Sequence, residues 1–178
     1  MVAVAEGDGA PRHTRSTPTQ SRLRSQRRAV LCSAGGDAAK TLAIESTRIP
    51  VHNAAEIEHG IEAFAQEPNS GLIVPPDATT LPNRDLIVAL AARFRLPAVY
   101  PYRFFVASGG LISYGIAYAD VFRRAASYVD RILRGEKPAE LPVQIPTKFE
   151  LAINLKAVKE LGLTMPQTLL AIADETIE

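Results

Sequence analysis

Cysteine is almost absent: Cys32 stands alone in 178 residues, which excludes an internal disulfide framework and a cysteine-cluster zinc site. Histidine is scarce too, and His13, His52 and His59 leave little material for a histidine-rich metal centre. No run approaches the roughly 18 uninterrupted apolar residues of a membrane helix, so direct membrane insertion is not expected. Neither charge sign dominates. The 20 Lys+Arg against 19 Asp+Glu give a formal net of +1, which argues against a dedicated nucleic-acid binder. Signatures of catalysis are missing as well. There is no Gly-x-Ser-x-Gly elbow and no phosphate-loop lysine motif, and Ser108, Gly109 and Gly110 lack the flanking pattern. His52 and His59 lie far in sequence from any strand-end serine and read as surface residues. No enzymatic chemistry and no cofactor are expected.

What is present is ordinary globular material, 47% hydrophobic and 22% charged, at a length that suits one domain. The balanced total hides an uneven distribution. Residues 1–39 carry Arg12, Arg15, Arg22, Arg24, Arg27 and Arg28 against Glu6, Asp8 and Asp37, and contain no aromatic and no isoleucine. Such a segment buries too little apolar surface to offset its ordering entropy, so it reads as a disordered, arginine-rich arm. It also fails as a secretory signal. Only Ala29, Val30, Leu31 and Cys32 follow its arginines before Ser33, and Leu31 stands where a lipoprotein site needs a small residue. No aromatic lies among the arginines to stack on bases.

From Lys40 onward, strand-like and helix-like segments alternate. Leu42 to Val51 is a β-type run. Asn53 with Glu56 has capping-box spacing, and Ile57, Ile61 and Phe64 line one face of a helix over 54–66. A turn at 68–71 leads to a wholly apolar strand at 72–74, of the kind found in parallel sheets covered on both faces. A helix over 84–94, a strand at 97–100, a loop and a strand at 111–114 follow. A helix over 118–134 carries Val121, Phe122, Ala125, Val129, Ile132 and Leu133 on one face and ends at Gly135. The stretch 138–146 is extended, 149–153 is a strand, and Asn154 caps a short helix closed by Gly162. This order predicts a parallel α/β sheet with right-handed crossovers.

Ligands of open α/β sheets bind outside the carboxyl ends of the strands. That rule selects Asp77, Thr79 and Thr80 after one strand, Tyr100, Tyr102, Arg103, Phe104 and Phe105 at the next, and Tyr114 at the third, with Tyr118 one helical turn further on. Asp77 taken singly reads equally well as a turn cap, and Phe104 and Phe105 as packing. Together these strand ends favour a binding surface, and the candidate ligand-binding set is Asp77, Thr79, Tyr100, Tyr102, Arg103 and Tyr114. Tyrosine and arginine there suit a small solute with a flat apolar body and a charged group.

The residue runs GLIVPPD (71–77), LPAVY (96–100), GGLISYG (109–115), RAASYVDRILRGEKP (124–138), LPVQ (141–144), FELAINLK (149–156) and LGLTMP (161–166) carry a resemblance. In this order they resemble the ABC transporter substrate-binding proteins of type I periplasmic-binding fold, in particular the subfamily of tryptophan and tyrosine binders. The resemblance implies a Rossmann-like lobe of a two-lobe protein that traps a solute by hinge closure, docks on ABC permease subunits and works in the periplasm. Residues 42–105 would belong to the second lobe, 106–145 to a hinge crossing and a first-lobe helix, and 146–178 to the return. Amino-acid-binding relatives usually have an acidic residue where Tyr102 stands, which leaves aromatic or carboxylate solutes as the expected ligands. The family is longer and opens with a signal peptide and most of a first lobe. The expectation is therefore a truncated or frame-shifted chain whose family portion begins near Gly36 and lacks the opening strand of the second lobe. Helix 118–134 would then expose its apolar face.

Three rival readings remain. A phosphoacceptor receiver domain would use Asp77 as acceptor and Lys137-Pro138 as its lysine-proline pair, but no adjacent acidic pair precedes Asp77 to hold Mg²⁺. A nucleotide-dependent enzyme would need a glycine-rich loop where Pro50 to Asn53 stand. An interaction module without a small ligand would bind independently of Asp77 and Tyr102.

Overall fold

Short hydrophobic runs separated by capped helices have one economical arrangement, a sheet with helices laid against it. The computed structural model describes residues 27–31, 41 and 44–178 and shows a seven-stranded sheet of order β2-β1-β3-β4-β5-β6-β7. The strands are β1 (Arg27–Leu31), β2 (Ile44–Thr47), β3 (Ser70–Ile73), β4 (Ala98–Tyr100), β5 (Ile112–Ile116), β6 (Phe149–Asn154) and β7 (Glu175–Ile177). The helices are α1 (Ala54–Phe64), α2 (Arg84–Arg93), α3 (Arg103–Ala107), α4 (Tyr118–Leu133), α5 (Leu155–Glu160) and α6 (Gln167–Ala171).

The first helix begins for a local reason. The Asn53 side chain accepts from the Glu56 N–H at 2.9 Å, while the Glu56 carboxylate reaches back to the His52 N–H at 2.9 Å. The His52 hydrogen bond holds the Glu56 carboxyl below the usual carboxylate range. Ile57, Ile61 and Phe64 are buried, as the periodicity predicts. They join Leu72, Val74, Ile87, Leu90, Leu96, Ala98, Tyr100 and Phe105 in the main core. A second core gathers Leu111, Leu151, Ile153, Ala157 and Val158, with Met165, Leu169 and Leu170 packed on it. Asn154 caps α5 through the Ala157 N–H at 3.0 Å.

Two sequence expectations are corrected. Arg27–Leu31 is not part of a disordered arm: it forms β1, paired in parallel with both β2 and β3. Composition averaged over residues 1–39 hides the short Ala29-Val30-Leu31 run, and ladder pairing on both sides supplies the ordering that local sequence does not. A strand thus stands where none was expected ahead of β2. The other residues of the arm, Cys32 included, lie outside the described residues. The sheet is also not wholly parallel. β6 runs antiparallel to β5, with Ile112 opposite Ile153 and Ile116 opposite Phe149.

The reason lies in residues 117–148, which do not cross the sheet. They leave at the end of β5 and return beside it, closed by the Ala117 N–H donating to the Lys148 carbonyl at 3.0 Å. No residue of α4 is buried, and Phe122, Val129, Ile132 and Leu133 are exposed. Instead α4 packs on its own extended return. Arg124 donates to the Thr147 hydroxyl at 3.1 Å, and the Tyr128 hydroxyl donates to the Pro142 carbonyl. Three further elements escaped the sequence reading: α3, α6 and β7, each five residues or fewer. Such lengths are too short for a periodic signal.

Candidate functional site

Because β1 to β5 are parallel and β6 and β7 run opposite to them, one end of the sheet collects the carboxyl ends of β3, β4 and β5. The starts of β6 and β7 lie there too. β3 leads into a turn closed by Asp77, whose Oδ1 accepts from the Thr79 and Thr80 N–H groups, both at 2.7 Å. The Thr80 hydroxyl donates to the Pro75 carbonyl at 2.7 Å, and Asn83 Nδ2 donates to the Thr79 carbonyl at 2.8 Å. Asp77 therefore does cap its turn. Among the described residues its Oδ2 and the Thr79 hydroxyl make no hydrogen bond.

After β4, Pro101 and Tyr102 turn the chain into α3. The turn lies against Gly115 of β5, where a Cβ would stand 1.9 Å from the Pro101 carbonyl oxygen. Glycine is required by this approach, not by its φ. The Tyr102 ring meets Tyr118 edge-on at 4.6 Å between centroids and lies 5.3 Å from Phe104. The Tyr118 hydroxyl donates to the Tyr102 hydroxyl at 3.3 Å, and Phe122 extends the group one helical turn up α4. The Arg84 guanidinium sits 5.7 Å over the Phe104 ring. Burial first, then the Tyr118 hydroxyl, push Tyr102 up to about 12, so it remains a neutral phenol at physiological pH. The result is a partly exposed aromatic shelf bordered by a cation.

The family model described as ABC transporter substrate binding protein matches residues 29–177. This chain belongs to that family. The match opens ahead of Gly36, where the family portion was expected to begin, and takes in most of β1. No curated protein matches. Among solved structures, a conserved domain protein from Vibrio cholerae aligns with TM-score 0.73 and 23% identity, over 85% of this chain and 54% of that one. The ABC domain in complex with L-Trp from Streptococcus pneumonia aligns with TM-score 0.71 and 22% identity, over 86% and 56%. A ligand-free, open substrate binding protein with adhesive properties from Clostridium difficile gives 0.59 and 16%, over 89% and 57%. At these identities the likeness establishes the fold. The chain spans about half the length of the solved structures it matches.

Within this substrate-binding-protein fold the six candidate residues separate. Asp77, Thr79, Tyr102, Arg103 and Tyr114 lie at the one sheet end, but only Tyr102 is in the aromatic shelf. Tyr100 turns into the core at 1% exposure and stacks on Phe105 at 5.1 Å, so it is absent from the strand-end surface. Arg103 is committed to an ion pair with Glu175 of β7, and its Nη2 reaches Glu175 Oε1 at 2.6 Å. Tyr114 is exposed and stacks on Phe149 of β6 at 5.6 Å. Phe104, Tyr118, Phe122 and Arg84 were outside the set. The i, i+4 spacing of Tyr118 and Phe122 was the available signal, whereas the approach of Arg84 to Phe104 depends on how α2 and α3 pack.

Proposed function

We propose that this chain is the solute-binding component of an ABC importer, and that it holds a small aromatic or carboxylate solute against the shelf of Tyr102, Phe104 and Tyr118. The carrying observation is that shelf: two phenols in contact at the carboxyl ends of β4 and β5, at the same sheet end as a carboxylate turn with an unused oxygen. Flat rings offer stacking area, and the paired hydroxyls and Asp77 offer orientation. The complex with L-Trp of a solved relative is in keeping with an aromatic solute.

In this proposal β1 joins residues 42–105 in one lobe, 106–145 cross a hinge, and 146–178 return. The excursion that opens and closes between β5 and β6, carrying a helix with no buried residue, supports that division. The mechanism is closure of the other, first lobe over the shelf, then docking on permease subunits outside the cytoplasm, with no bond made or broken. Among the described residues no helix is long and apolar enough to cross a membrane.

The chain contains no tryptophan, so a change in the fluorescence of an added tryptophan or indole carboxylate reports binding without overlap from a protein indole. A panel of aromatic amino acids and aromatic carboxylates should yield a saturable ligand. Tyr102→Ala should weaken it about tenfold, from the loss of one stacking partner and one hydroxyl, at unchanged secondary structure. Unaltered affinity in both Tyr102→Ala and Tyr118→Ala removes the shelf from the binding site.

A further inference from the structure

The charged groups around the aromatic shelf are unequally free. Arg103, at the start of α3, is held by both oxygens of Glu175 and lies within the field of Glu150. Asp120, two residues after Tyr118, is paired with Arg124 at 2.7 Å and lies 3.6 Å from Arg123. Asp77 puts one oxygen into its own turn. Arg84 differs. It opens α2, and its guanidinium sits over the ring of Phe104, the neighbour of Tyr102 in the shelf. Asp85 meets only its Nε, at 3.2 Å, and among the described residues Nη1 and Nη2 make no hydrogen bond or ion pair.

Two contacts orient this guanidinium, the aromatic ring beneath it and the carboxylate at its Nε edge. A cation already resting on a ring loses little further freedom when an anion arrives. Its open edge carries two terminal nitrogens, the fork that takes a carboxylate through two parallel hydrogen bonds. The Asp85 side chain is 73% exposed, so water screens it and it competes weakly with an incoming anion.

We propose that Arg84 reads the charge of the solute, pairing with the carboxylate of an aromatic acid whose ring lies on the shelf. This assignment deepens the aromatic-shelf reading and rests on it. The rings give contact area to any flat solute, charged or neutral, and Arg84 selects the anion among them. An amide of the same shape brings neither the charge nor the second accepting oxygen, and an amine brings a cation to a cation.

Indole-3-acetate, its primary amide and tryptamine share one ring system and separate the charges. Each is titrated into the whole chain and followed by its own indole fluorescence. The acid should bind the parent about tenfold more tightly than the amide, the size of one charge-assisted hydrogen bond, with tryptamine weaker than either. Arg84→Gln, at an exposed position, should weaken the acid about tenfold and leave the amide unchanged. Arg84→Lys keeps the charge without the fork and should retain about a threefold preference. The acid-to-amide ratio decides, because a merely structural loss would weaken both probes alike. Two kinds of failure are distinguishable. Where neither acid nor amide saturates, or both bind undisturbed by Tyr102→Ala and Tyr118→Ala, the shelf itself falls and the role of Arg84 with it. Where Tyr102→Ala weakens acid and amide alike, the shelf stands. The role of Arg84 is then overturned by equal binding of acid and amide in the parent, by a ratio that survives Arg84→Gln, or by tryptamine binding as tightly as the acid.

Discussion

Replacing Gly115 by alanine tests the packing on which the shelf rests. The new Cβ would lie 1.9 Å from the Pro101 carbonyl oxygen and 3.0 Å from its carbon. An ordinary carbon–oxygen contact is roughly 3.3 Å, so about 1.4 Å must be found by moving backbone. Neither side yields cheaply. Gly115 is held in the β5–β6 ladder opposite Glu150, and Pro101 is buried at the end of β4. Overpacking costs about 1–3 kcal/mol where side chains can adjust, and two backbones place this case at about 3 kcal/mol or above. At about 2–4 °C per kcal/mol for a chain of this size, Tm should fall by about 6–12 °C. Circular dichroism melts give the number. Gly135→Ala is the control, because it has φ +99° but nothing within 4 Å of its Cβ and so carries only backbone strain, about 1–2 kcal/mol. As Tyr102 follows Pro101, the Tyr102 and Tyr118 ring resonances should shift in Gly115→Ala alone. A Tm loss no larger than that of Gly135→Ala, with unmoved tyrosine resonances, would refute the tight apposition.

Asn154→Ala removes a buried cap from α5 and should lower stability by about 1–2 kcal/mol, read as a drop in Tm of about 2–8 °C. Phe122→Ser alters an exposed face of a helix with no buried residue, so Tm should stay within about 2 °C while self-association seen by sedimentation decreases. The Arg103 hydrogen bond depresses the Glu175 pKa, so this pair stabilises the fold above the ordinary carboxylate range and loses that contribution as pH falls through the lowered value. Arg103→Gln should therefore cost stability at neutral pH, with the difference from the parent closing under acid. A difference independent of pH between 7 and 2 would assign the effect to packing instead.

Much of the fold was legible because its signals are local. The Asn53 and Asn154 caps, the Ile57-Ile61-Phe64 stripe and the apolar runs at 72–74 and 97–100 each specify an element within a few residues. Their alternation sufficed for the α/β class, and the strand-end rule placed Tyr102 at the sheet end where β4 finishes. The strand ends did not reveal which way each side chain would turn. Tyr100 and Tyr102 are two residues apart, yet one is in the core and the other on the shelf, because the chain bends at Pro101 and leaves the strand's alternation. Arg103 looked like a free guanidinium until β7 brought Glu175, 72 residues later, against it.

The sequence by itself determined α1, α2, α4 and α5, the Asn53 and Asn154 caps, most strands and the aromatic richness of one loop. Tertiary structure alone decided that Arg27–Leu31 enters the sheet between β2 and β3 and that β6 reverses direction. It also decided that 117–148 stand off as an excursion and that Tyr100 turns into the core while Tyr102 does not. The physical reason is range. Capping and periodicity act across one or two turns, whereas strand direction, ladder partners and cavities are fixed by the closure of segments far apart along the chain.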